Sequence, residues 1–319
     1  MSDNVLVVET PLLATGCILG EGPLYDPETK ILHFVDINQK RVYHCNTETL
    51  DLTVDQFDEA VTALALRQGG QGLACVTASG FGVIEKDENS NARLVPLITA
   101  LSDEELLYTR LNDGACDARG RFLAATIESK HPGHEFGGTL YQYDPKDGSC
   151  KVLDTQDITD GNGLGWSEDN KTLYFTNSCI NEIYAYDYDL EDGSVSNRRT
   201  FIDGPSLGLH APSFCDGLCF DSEGCLWSAR WSGSKIVRFN REGTAITFEI
   251  HFPKVYSVTA CCFGGPDGSQ LFVTTAHPSA AHLADSDAVF EKYPDSGHVF
   301  RIDFNKRFTG GAWRHAFGG

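Results

Sequence analysis

Residues 164–187 read LGWSEDNKTLYFTNSCINEIYAYD. An apolar run, LGW, meets a turn of Ser, Glu, Asp and Asn. A second run, TLYFTN, ends on polar residues, and a short loop leads to a third, EIYAYD, which closes on an aromatic and an acid. β-Branched and aromatic residues in runs this short, punctuated by turn residues, specify antiparallel strands. The pattern recurs as LYDPETKILHFVDINQKRVYHCN at 24–46 and LCFDSEGCLWSARWSGSKIVRFN at 218–240, with less complete copies starting at Ala63, Ala115 and Cys261. Taking Leu24, Ala63, Ala115, Leu164, Leu218 and Cys261 as markers, the steps are 39, 52, 49, 54 and 43 residues. Each step has room for four strands, which is the spacing of propeller blades. The expected fold is all-β, a six-bladed β-propeller with a central metal-binding channel. No Pro/Gly/Ser linker divides the chain, so residues 1–319 are read as one domain. A seven-bladed ring with one unrecognised copy, or a sandwich, ranks lower.

Helical periodicity is nearly absent. The exception is Leu97 to Tyr108, where SDEE reads as the capped, acidic first turn of a short helix. The 11 cysteines are odd in number and scattered, with no C-x-x-C, and are read as reduced, buried small hydrophobes. A formal charge of −20 without a basic cluster argues against nucleic acid and anionic membrane partners, since phosphate binding needs Lys and Arg. The opening residues lack a basic, apolar leader, and no stretch approaches a membrane span, so a soluble cytoplasmic protein is expected.

Chemistry is read from register. Asp26, Asp117, Ser167 and Asp221 open the first turn of four copies, and five residues before each stand Glu21, Asn112, Asn162 and Asp216. In the other two copies the same count falls near Thr62 and Thr259. The first strand of each propeller blade lines the channel, so two carboxylates and two carboxamides converge on the axis. Like charges at close quarters repel, and a bound cation removes that cost. The oxygen donors suit Ca²⁺, Mg²⁺ or Mn²⁺, with Zn²⁺ or Fe²⁺ as alternatives at an open, catalytic site. Taken singly, each of these polar-Gly pairs reads equally well as a turn dipeptide. Four in register point to one divalent metal ion.

LGEGPLYD, RLNDGACDARGRF, GNGLGWSEDNKTLYFTNS and CDGLCFDSEGCLWSA resemble, in order, the defining segments of the family of gluconolactonases, regucalcin (senescence marker protein) and luciferin-regenerating enzymes. That resemblance implies a six-bladed propeller with one divalent metal, hydrolysing sugar lactones and, in some members, other esters or organophosphates. It makes Glu21, Asn162 and Asp216 the metal ligands, places Asn112 and Arg110 on the substrate, and offers Glu128 as an acidic substrate contact. The loop 129–137 resembles a substrate-covering lid. The expected activity is metal-dependent hydrolysis of a small-molecule sugar lactone to the open aldonate. In it Asp216 serves as general base, the Asn112 amide stabilises the oxyanion, and Arg110 holds substrate oxygens. The rival readings are a metal-dependent esterase or phosphotriesterase, and a non-catalytic metal-binding propeller.

Other features carry less. Pro132-Gly133 breaks any helix that would align His131 and His134 on a metal, so they read as lid residues, and His210, His251, His277 and His298 read as structural. No G-x-S-x-G or nucleotide-binding glycine motif is present. Trp166, Trp227, Trp231 and Trp313 are read as core packing, with Trp231 and Tyr256 as candidates to wall the channel mouth against a sugar ring.

Overall fold

A computed structural model describes residues 4–69, 72–127, 129–131, 134–311 and 314–319. Glu128 and Trp313 lie outside the described residues.

The repeat folds as six antiparallel sheets, each a meander whose strands follow one another in chain order. The first strands of the blades are Gly20–Asp26, Val61–Leu66, Leu111–Cys116, Gly161–Trp166, Phe214–Phe220 and Ser257–Gly264. Each packs on the next, and the sixth packs on the first, so the ring closes as a β-propeller. All six marker residues lie on these inner strands. Blades one to four have four strands each. In blade five the strand Val5–Val7 adds to the outer edge, parallel to Ile246–His251. Blade six has three strands and is extended by the bridge between Leu13 and Val299. The N-terminal segment thus ties together the last two blades.

The core is distributed between blades. Trp227 and Trp166, both fully buried, anchor separate apolar clusters at the interfaces of blades five and six and of blades three and four. Inner strands approach closely near the axis, which explains the glycines after the polar residues. A Cβ on Gly163 would stand 2.5 Å from the Leu218 nitrogen, and one on Gly217 would stand 2.6 Å from the Ala260 Cβ. The polar-Gly pairs are therefore strand features rather than turns.

Two local expectations change. Leu97 belongs to the outer strand Ala92–Thr99, paired to Gly80–Lys86, so no helix starts there. The Ser102–Glu105 capping box does form, with the Ser102 N–H donating to the Glu105 carboxylate at 2.7 Å, but it opens a single 3₁₀ turn, Glu105–Leu107. Conversely, the helix Ser286–Lys292, capped by Asp285, lies in the long connection within blade six. Its seven residues bury no side chain, so it leaves no apolar stripe to detect. The segment 129–137 contains a two-stranded hairpin, Ser129–His131 with His134–Phe136, inserted into blade three. Every cysteine is free. Among the described residues no helix is long and apolar enough to cross a membrane.

Candidate functional site

All six inner strands shift register by one residue against their neighbours at the same level, between Glu21 and Leu24, Leu111 and Gly114, Gly161 and Leu164, and Cys215 and Leu218 in the four polar blades. Bulges break the strict alternation of side chains, and here they let Glu21, Asn112, Asn162 and Asp216 face one cavity of about 470 Å³. Thr62 and Thr259 do not line it. Their hydroxyls donate to backbone carbonyls, Thr259 to Gly20 at 2.6 Å and Thr62 to Val76 at 3.4 Å.

Hydrogen bonds hold the amides in a line. Arg110 Nη1 donates to Asn112 Oδ1 at 2.6 Å, Asn112 Nδ2 donates to Asn162 Oδ1 at 3.0 Å, and Asn162 Nδ2 donates to Ser178 Oγ at 2.8 Å. The Asn162 amide is thereby fixed in a cavity that it lines together with the two acids. Asn112 Nδ2 also donates to the Gly161 carbonyl at 2.9 Å. Both amide hydrogens of Asn112 are committed, and none remains for an oxyanion. In this geometry Asn112 orients Asn162 and Arg110.

Glu21 and Asp216 are 7% and 4% exposed. The Glu21 carboxylate takes a hydrogen bond from the following glycine, Gly22 N–H to Oε2 at 3.0 Å. Neither acid forms an ion pair among the described residues. Burial, with the Asp113 charge behind it, pushes the Glu21 carboxyl up to about 8. Burial followed by repulsion from Glu21, Asp113 and Asp160 holds Asp216 well above the carboxylate range. Burial also lowers Arg110, to about 10, against the pull of Glu21, Asp160 and Asp216. Four carboxylates, Glu21, Asp113, Asp160 and Asp216, thus bear on one another, and the guanidiniums whose charge reaches Glu21 are those of Arg110 and Arg314. The donors, two carboxylates and an oriented amide oxygen, fit a hard divalent ion.

A second acidic group, Asp221, Glu223 and Cys225, also brings its potential ligand atoms within 4.8 Å of one another. It does not fit a cation, because Arg238 Nε at 2.7 Å and Trp227 Nε1 at 2.9 Å already occupy the Asp221 carboxylate.

The cavity wall contains further residues. Asp160 and Phe214 stand two residues before Asn162 and Asp216, the position that Leu19 and Arg110 hold before Glu21 and Asn112, while Ser178 follows a second strand and His282 lies in the connection within blade six. Trp231 lines the cavity, whereas Tyr256 packs on Tyr293 at 5.6 Å and supports the blade-six connection instead.

Over residues 19–277 the chain matches the family model described as SMP-30/Gluconolactonase/LRE-like region. The chain belongs to this family. Among its relatives the SMP-30/gluconolactonase-like chain is 34% identical to pentonolactonase of Haloferax volcanii over 269 residues, 84% of each protein. It is 31% identical to regucalcin of Homo sapiens over 294 residues, 91% of this chain and 92% of that one. The fold superimposes on a luciferin-regenerating enzyme with a TM-score of 0.80 at 27% identity, covering 98% of both chains. A calcium-binding regucalcin from Agrobacterium tumefaciens shares the fold, with a TM-score of 0.83 at 23% identity, covering 98% and 99%.

Proposed function

We propose that this chain is a divalent-cation-dependent lactonase that opens a sugar-acid lactone to the aldonate. The observation that carries the reading is the convergence on a single cavity of two buried carboxylates, neither ion-paired among the described residues, and one oriented amide. Relatives bearing the names pentonolactonase and gluconolactonase support hydrolysis of a cyclic ester as the reaction class.

Glu21, Asn162 and Asp216 would hold the ion. When bound, such an ion polarises an ester carbonyl and lowers the pKa of water. Asp216, which lines the cavity, would accept the proton of the attacking water. The Nη1 group of Arg110 is tied to Leu111 and Asn112, which aims the rest of the guanidinium at the hydroxyl and carbonyl oxygens of a ligand. Trp231 offers an aromatic face to the C–H face of a sugar ring.

The test is a panel of five- and six-carbon aldonolactones, aryl esters and a phosphotriester, followed by proton release from metal-stripped protein with single divalent ions added back. Lactone turnover that appears only with an added ion is expected. Turnover confined to the aryl ester or phosphotriester would replace the lactone reading, and full lactone turnover in stripped protein would remove the ion from it.

A further inference from the structure

Asp113 follows Asn112 on the inner strand of blade three. Its side chain is 5% exposed, its Oδ1 takes the Gly114 N–H at 2.7 Å, and its Oδ2 has no hydrogen-bond partner among the described residues. A carboxylate so placed needs a countercharge. One faces it at 3.7 Å, the Nη2 of Arg314.

Arg314 belongs to no blade. It is carried by the C-terminal segment, which crosses the far end of the channel and is stitched to three blades. Gly310 bridges to Asp221, His315 to Cys116 and Phe317 to Arg67. The Phe317 N–H also donates to the Leu66 carbonyl at 2.7 Å. A second cavity of about 510 Å³ lies here, between the tail and the C-terminal ends of the inner strands, and Arg314 lines it. The guanidinium is therefore held in the channel on the side of the acidic ring away from the open mouth. Its charge is felt at Glu21 in opposition to that of Asp113, and Asp113 is felt at Asp216.

We propose that Arg314 is a built-in cation that sets the divalent-ion affinity of the site above it. The tail delivers one fixed positive charge beneath Glu21, Asn162 and Asp216, cancels Asp113, and holds ion binding weaker than the bare acidic ring would give. This rests on the ion-binding reading of the site, and it assigns the C-terminal segment a positioning role in function as well as in closing the fold. A purely structural pair predicts a different sign. Losing a structural arginine loosens the site and weakens binding, whereas losing a repelling charge tightens it.

The experiment titrates Ca²⁺ and Mn²⁺ by calorimetry into chelator-stripped, full-length protein at fixed ionic strength. Arg314→Gln is expected to bind each ion about three- to tenfold more tightly than wild type, the range a unit charge gives for a divalent ion about 10 Å away when the effective dielectric is close to that of water. Asp113→Asn is expected to weaken binding by a similar factor, the double variant to return towards wild type, and Arg314→Lys to stay near wild type. Unchanged or weaker binding by Arg314→Gln overturns the proposal. If that variant does not fold, unaltered affinity in Asp113→Asn does so. Wild-type protein that binds neither ion defeats the underlying site reading, and the first titration alone reveals it.

Discussion

Asp216 and Asp221 stand five residues apart on one inner strand and the turn that follows it, 4% and 3% exposed, yet their surroundings are opposite. The Asp221 carboxylate takes two backbone N–H groups at 3.0 Å, the Trp227 indole at 2.9 Å and the Arg238 guanidinium at 2.7 Å. Asp216 lines the cavity and feels the charges of Glu21, Asp113 and Asp160. Blade three repeats the contrast. Asp117 receives Arg121 Nε and the Tyr188 hydroxyl, each at 2.6 Å, while Asn112, five residues earlier, opens on the cavity. Burial alone therefore does not distinguish a structural acid from a functional one. The difference is whether the fold completes the charge or leaves it for something that binds.

The most severe way to break this contrast is Asp216→Ala or Glu21→Ala. Each should cut lactone hydrolysis by about 10³-fold or more, as much as losing a principal oxyanion donor, while the far-UV circular dichroism stays that of a folded β protein. Full activity in either variant would dispose of the assignment. Asp221→Ala should do the reverse. It removes the Nε partner of Arg238, which keeps Glu223, and the acceptor of the Trp227 indole, so stability is lost in a denaturant titration, by up to about 3–5 kcal/mol, while turnover per folded molecule holds.

A gentler change sharpens the role of the amide line. Ser178→Ala removes the acceptor that turns Asn162, and should lower ion affinity or kcat/KM about tenfold, the lower end of what such orienting partners contribute. Equal kinetics would show that Asn162 needs no such support.

The smallest expected effect concerns pH. In ion-free protein Glu21 is raised from 4.5 to about 8. Across that window the folded chain retains a proton that the unfolded chain has released, so stability falls as pH rises. The Tm of chelated protein should drop by a few degrees between pH 5 and 8, and a saturating divalent ion should flatten the slope. An equal slope with and without ion would place the ion elsewhere.

The repeat made the ring of first-turn residues legible, and counting back from it reached Glu21, Asn112, Asn162 and Asp216 without coordinates. Two residues further back the same count reaches Leu19, Arg110, Asp160 and Phe214, but Ser178 and His282 could not be reached in this way, because they come from a strand end and a connection that differ between blades. Nor could the commitment of both Asn112 amide hydrogens be read, since it depends on a carbonyl and an amide of the next blade. The capping box at Ser102 was legible, but its extension into a helix was not, because Leu97 was claimed by an outer strand.

By itself, then, the sequence determined the blade count, the inner strands and the polar ring, because those follow from local alternation and a period that each copy expresses alone. Tertiary structure decided which acids are neutralised. Arg238 reaches Asp221 from two strands away on the same blade, and Arg314 reaches Asp113 across some two hundred residues of chain. Electrostatic balance depends on distance in space, and no local pattern encodes it.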